Sequence, residues 1–155
     1  MNPNPLQAPL EDPSKERLRL WLRLLKTTRG IEAALRENLR VEFDTTLPRF
    51  DVMAALSRFE DGLKMSEISG ALRVSNGNVT GIVDRLADDG LLVRVPVPGD
   101  RRAHRVRMTQ KGCEEFARQA AAHEAWISDM LGQFSAEDAR TLTTELTISE
   151  EIDGQ

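Results

Sequence analysis

The stretch SNGNVTGIVDRLADDG, Ser75 to Gly90, decides how the rest of the chain is read. Asn76-Gly77 is a hairpin-turn dipeptide, so a β-hairpin is one reading. Against it, Val79, Ile82, Val83 and Leu86 recur at helical spacing, Ser75 or Asn76 can cap the start, and Gly90 supplies a stop. That pattern predicts an amphipathic helix. Its opposite face carries Asn76, Asn78, Thr80, Gly81, Asp84 and Arg85. A merely solvated face would mix Lys with Glu, whereas short polar side chains and glycines suit close approach to another surface. Gly77 and Gly81 each cost a helix about 1 kcal/mol relative to Ala. Two explanations stand: the backbone comes close to a ligand, or the glycines relieve packing against a neighbouring helix.

Downstream the period changes to two. Leu91 to Val95 reads as a strand and Arg105 to Met108 as its partner, joined by a linker from Pro96 to Arg102 that is too long for a two-residue turn and therefore projects. Upstream, Met65 to Leu72 predicts a brief helix, with Ile68 and Leu72 inward. Before it, Pro48 opens a helix whose apolar positions are Phe50, Met53, Leu56 and Phe59, ended by Asp61-Gly62. A first helix runs from Ser14 as N-cap to about Arg40, with Leu18, Trp21, Leu22, Leu25, Leu35 and Leu39 at helical spacing. Thr109 caps a long fifth helix with Cys113, Phe116, Ala117, Ala120, Ile127 and Leu131 on one face. Ser135 to Asp138 resembles a capping box and opens a sixth, carrying Leu142 and Leu146.

The fold class is thus mainly α with a small β-hairpin wing, a winged helix-turn-helix flanked by N- and C-terminal dimerisation helices. The boundaries are a flexible segment over 1–13, an N-terminal dimerisation part over 14–46, the winged helix over 47–109 and C-terminal dimerisation helices over 110–150. A single winged helix needs about 70 residues, so the flanking helices have apolar faces left over to bury, and two-fold pairing is the simplest outlet.

The net charge of -4 hides a partition. Residues 73–111 carry 8 Lys/Arg against 4 Asp/Glu, while residues 112–155 carry 2 against 10. A basic middle on an acidic protein suits local contact with phosphates. No apolar run approaches the roughly 20 residues that span a bilayer, and residues 1–13 lack the pattern of an export signal, so a cytoplasmic protein with no membrane partner is expected. One Cys and two His leave no conventional structural zinc set, and no cofactor is expected. His123-Glu124 begins an H-E-x-x-H, but Ile127 stands where its second His would be. No nucleophile elbow, Walker loop or dinucleotide fingerprint occurs, so the chain is not expected to be an enzyme. Cys113, on the apolar face of the fifth helix, is expected to pack as a small buried hydrophobe.

Val74 to Arg94, VSNGNVTGIVDRLADDGLLVR, followed by DRR (Asp100 to Arg102) and MTQKG (Met108 to Gly112), closely resembles the MarR family of bacterial transcription regulators. That resemblance implies a homodimer on a pseudo-palindromic operator in double-stranded DNA, acting as a repressor or an activator. It gives Arg102 a minor-groove role, with Asp100 holding its guanidinium. The residues themselves agree with a DNA-facing set of Ser75, Asn76, Gly77, Asn78, Thr80, Gly81, Arg85, Arg94, Asp100, Arg101, Arg102 and Arg105. Asn pairs with adenine edges and Thr offers a hydroxyl and a methyl, so Asn76, Asn78 and Thr80 are the candidate base readers. Arg101, Arg94 and Arg105 suit phosphates, and Arg85 either reaches a phosphate or pairs with Asp84, Asp88 or Asp89. The resemblance also implies a small aromatic acid as effector, lodged where the dimerisation helices meet the DNA-binding lobe. Trp21, Leu25, Phe50, Met53 and Trp126, with Arg29 or Arg49 for a carboxylate, are the candidates there; the alternative is that the apolar five are ordinary core. The rival function is a winged-helix protein-interaction module that does not bind DNA, which would call for a wing without arginine.

Overall fold

The structure is a computed structural model that describes residues 12–72 and 76–147, with side chains at all of these except 76 and 77. Ser75 and most of the segment 1–13 lie outside the described residues.

Helix α1 spans Pro13–Phe43. Asp12 rather than Ser14 is its N-cap, because Pro13 has a preset helical φ and no N–H to satisfy, and the Asp12 carboxylate accepts from the Ser14 backbone N–H at 3.1 Å. Nothing halts the helix at Arg40; it ends where Asp44 turns left-handed at φ 49° and donates its N–H to the Arg40 carbonyl. Thr46 caps α2, Leu47–Leu56, by accepting from the Arg49 N–H. Phe59, expected to face inward from this helix, is 48% exposed because α2 stops three residues earlier and Phe59 sits in the turn that follows.

A two-residue strand β1, Leu63–Lys64, leads directly into α3, Met65–Leu72, and α4 covers Asn76–Asp88. Val79, Val83 and Leu86 are buried as their spacing requires, against Val52, Met53 and Leu56 of α2, Ile68 of α3 and Leu63. Each such side chain contributes about 1.5–3 kcal/mol relative to exposure. A second apolar cluster joins Leu35 and Leu39 of α1 to Leu47 and Phe50 of α2, with Trp126, Ile127 and Met130 packed round it. Helix α2 therefore serves both clusters and couples the long helices to the winged helix.

Strands β2, Leu92–Val97, and β3, Asp100–Met108, are antiparallel, and β3 is central in the sheet order β1-β3-β2. Strand β1 adds Leu63 opposite Val106, a pairing absent from the sequence reading. The tip also differs from expectation. Val97 pairs with Asp100, so the turn is the dipeptide Pro98-Gly99, with Gly99 at φ +84° where L side chains are strained. The slack of the linker is taken up instead on β3. Pro96 faces His104 but Val97 faces Asp100, so Arg101, Arg102 and Ala103 bulge out of the ladder. Pro96 has no N–H to give and is tolerated because β2 is an edge strand.

Thr109 caps α5, Gln110–Met130, and the Ser135–Asp138 box forms with both reciprocal bonds at 3.1 Å before α6, Ala136–Thr147. Cys113 is exposed, contrary to the expectation of burial. The buried face of α5 runs instead through Gly112 and Gln119, with Phe116 and Trp126 half-buried beside it, and Cys113 is rotated off it. None of the residues of α6 is buried, and Leu142 and Leu146 are 40% and 42% exposed. No helix among the described residues is long and apolar enough to cross a membrane.

Candidate nucleic-acid interface

With Val79, Val83 and Leu86 inward, the helical period turns Asn78, Thr80, Gly81, Asp84 and Arg85 outward on α4, and all five are exposed. At Gly81 a Cβ would meet nothing within 4 Å. Relief of packing between helices therefore does not explain that glycine. Gly77 and Asn76 begin the helix, and their side-chain surroundings lie outside the described residues.

The wing arginines divide into two kinds. Arg101 and Arg102 lie exposed in the bulge, and neither makes an ion pair among the described residues. Asp100 accepts from the backbone N–H of Arg102 at 3.0 Å, so it shapes the bulge and leaves the guanidinium free, rather than gripping it as the resemblance implied. Arg94 pairs with Asp84 of α4, binding strand β2 to that helix and cancelling part of its charge. Asp84 is thus taken by Arg94 and not by Arg85. Arg105 is half-buried and donates to the Gly62 carbonyl at 3.4 Å, which makes it a brace between β3 and the turn before β1.

A groove between the wing and the start of α3 is lined by Lys64, Ser66, Arg94, Arg102 and His104 together with the apolar Met65, Ala103 and Val106. The sequence reading missed Lys64 and His104. A two-residue strand has no readable period, and only the pairing of Lys64 with Arg105 brings it beside the wing.

The seven candidate effector residues do not come together around one cavity of the chain. Phe50 and Met53 are 5% and 1% exposed and belong to different apolar clusters. Phe50 stacks on His123 at 4.6 Å between ring centroids, and Trp126 meets Phe43 edge-on at 6.2 Å. Trp21 is 56% exposed and stands 14 residues before Leu35, roughly 20 Å along the helix axis, with Leu25 and the exposed Arg29 between them. Arg49 is ion-paired to Asp89, just beyond the end of α4.

What the junction does contain is a cavity of about 450 Å³ walled by Arg49, Asp89, Lys111, Glu115 and Gln119 among others. Gln119 is 3% exposed, and its Oε1 and the Nε of Arg49 have no hydrogen-bond partner among the described residues. A smaller cleft lies between Arg36 and Glu32 of α1, Asp51 of α2 and Asn78 of α4. Burial pushes the Asp51 carboxyl above the usual carboxylate range, His123 and Arg36 pull it down, and Glu32 adds to the rise.

Comparison with known proteins is consistent with this geometry. Residues 43–103 match the MarR family pattern. The chain is 34% identical over 91 residues to the HTH-type transcriptional regulator PecS of Dickeya dadantii, covering 57% of this chain and 55% of PecS. It is 31% identical to the transcriptional activatory protein BadR of Rhodopseudomonas palustris, over 77% of this chain and 70% of BadR. A MarR family transcriptional regulator from Silicibacter pomeroyi superposes with a TM-score of 0.74 at 33% identity, covering 92% of this chain and 99% of that one. The chain belongs to the MarR family. It is accordingly a winged-helix transcriptional regulator by kinship, with α4 in the position of the family's second motif helix and β2–β3 as its wing. The MarR match begins at Phe43 and stops at Ala103. The match to the Silicibacter structure extends well beyond that segment, over 92% of this chain.

Proposed function

We propose that this chain binds operator DNA as a homodimer, with α4 of each protomer in the major groove and the wing bulge against the neighbouring backbone and minor groove. The observation that carries the reading is the outward polar face of α4, open at Gly81, held to an arginine-bearing wing by the Arg94–Asp84 pair. Asn78 and Thr80 would read bases, and Asn76 from the helix start would join them. Arg101, Arg102 and Arg85 would meet phosphates or the minor groove.

Pairing is supported by apolar surface that one chain leaves open. Leu18, Leu20, Trp21 and Leu22 of α1 are 53–56% exposed, and α6 buries nothing. Isolated helices this short are marginal in water, so α6 needs a surface to lie on, and a second copy of α1 and α6 supplies one of matching character. Sedimentation at micromolar concentration is expected to give a dimer, and to give monomers for a variant with Trp21 and Leu22 both changed to Glu. A monomeric wild type would contradict the pairing.

Repression then follows from occupying a promoter, and release from a ligand that favours one spacing of the lobes over the other. The cavity beside Arg49 and Gln119 supports such a ligand, since it joins α2 and the end of α4 to α5 and holds two buried polar atoms without partners among the described residues. Its wall is more polar than the aromatic acid pocket that the resemblance implied.

A further inference from the structure

We propose that the cavity at the C-terminal end of α4 takes a small zwitterion, a free amino acid or dipeptide, whose carboxylate replaces Asp89 on Arg49 and whose ammonium is held by Gln119. The inference rests on the ligand-release reading and adds to it a chemical class and the bond that the ligand breaks.

The end of α4 is fastened to both α2 and α5. Arg49, in the first turn of α2, pairs with the Asp89 carboxylate; Lys111 donates to the Asp89 carbonyl at 2.9 Å, and the Thr109 hydroxyl donates to the Gly90 carbonyl at 2.7 Å. The tie to α2 is made at a cost. While a terminal nitrogen of Arg49 serves Asp89, the Arg49 Nε and the Gln119 Oε1 are shut off from water with no partner among the described residues. Gln119 is 3% exposed and its amide nitrogen already donates to Glu115 at 3.2 Å, so its oxygen alone is left to be satisfied. An orphaned donor and an orphaned acceptor on one cavity call for a guest that carries both an acceptor and a donor.

The charges on the wall narrow the guest further. Arg49 and Lys111 suit a carboxylate, but Asp44, Asp89 and Glu115 line the same space and oppose a plain acid. A zwitterion sets each end beside its opposite. An ammonium at the Gln119 oxygen lies next to Glu115, whose other carboxylate oxygen pairs with Arg118 at 3.3 Å. Thr45 adds a hydroxyl, and Phe43 and Leu91 leave an apolar wall for a side chain, within a volume of about 450 Å³. Because the Arg49 Nε is sealed while Arg49 reaches Asp89, the guest gains it only as that pair parts. Asp89 is 55% exposed, so water takes over its carboxylate, and α4 is left tied to α5 but released from α2.

The probes are the standard L-amino acids and alanyl-alanine, each compared with its deaminated acid and its decarboxylated amine. Thermal stabilisation and calorimetry are measured on the full chain, on Gln119→Leu and on Arg49→Gln, and operator affinity with and without each compound that binds. At least one zwitterion is expected to bind, with its acid and amine counterparts weaker by about tenfold or more. Gln119→Leu, which removes a buried orphan, should melt no lower than the wild type without ligand yet lose about tenfold in affinity for the zwitterion, and Arg49→Gln should lose at least as much. No binding by any zwitterion, or undiminished binding by Gln119→Leu, overturns the proposal. Binding confined to the acids also overturns it while leaving release by a ligand standing. A zwitterion that binds through Gln119 and Arg49 but leaves operator affinity unchanged upholds the site and removes the release reading beneath it.

Discussion

Arg102→Ala is expected to weaken operator binding by about five- to 150-fold, the range of a contact worth about 1–3 kcal/mol. Arg101→Ala should weaken binding to all sequences alike and lower the log-log salt slope by about one unit. The difference comes from the bulge. Three extra residues on β3 bulge out of the ladder, and the backbone N–H of Arg102 is pinned by the Asp100 carboxylate. A pinned backbone aims its side chain with less entropy to lose on binding, and a narrow minor groove concentrates the negative potential that draws an arginine. Fluorescence anisotropy on operator and on scrambled duplex, each over a salt series, separates the two effects. Equal loss for both variants on both duplexes would mean that the wing supplies charge and no preference.

Gly112→Ala should be strongly damaging for so small a substitution. A Cβ there would lie 2.0 Å from the carbonyl oxygen of Leu91, which already accepts the Thr109 N–H at 3.0 Å. Both partners in the collision are backbone, so no side chain can swing aside, and the first turn of α5 must part from the entry to β2. Overpacking of this kind costs about 3 kcal/mol, which lowers Tm by roughly 10 °C for a chain of this size. Gly81→Ala makes the opposing case. Its Cβ meets open space, so helix propensity should raise stability by about 1 kcal/mol while operator affinity falls. Thermal melts and binding on the two variants check the pair together. A Gly81→Ala protein with undiminished affinity would show that α4 does not approach DNA at that point.

The helices were legible because their apolar residues repeat every turn, as at Val79, Val83 and Leu86, and because caps such as Thr109 and the Ser135–Asp138 box are local chemistry. The wing tip is less legible for a related reason. Backbone pairing between Val97 and Asp100 imposes no side-chain period, and the Pro-rich linker resembles a loop when it is mostly strand and bulge. Cys113 shares its helical spacing with Phe116, Ala117 and Ala120, which is why the sequence points it inward. The face that turns inward is fixed by contacts distant in sequence, chiefly Gly112 against Leu91. The effector residues were the least legible part. Apolar spacing cannot tell Phe50 and Met53, which are core, from the lining of a pocket, and the polar wall at Arg49 and Gln119 is assembled from segments 70 residues apart. Asp84 and Arg94 show the same limit at closer range, since their pairing depends on the angle between α4 and β2.

The central claim, a homodimer that reads two half-sites through α4, is tested most directly by selecting bound duplexes from a random DNA pool. Two-fold pairing predicts enrichment of a pseudo-palindrome whose half-sites are centred about 10 bp apart, on one side of the helix. An Asn78→Ala/Thr80→Ala protein, unchanged in circular dichroism, should yield a pool with flattened base preference at the half-site positions. Enrichment of a lone half-site, or the same sequence preference with and without Asn78 and Thr80, would contradict the account.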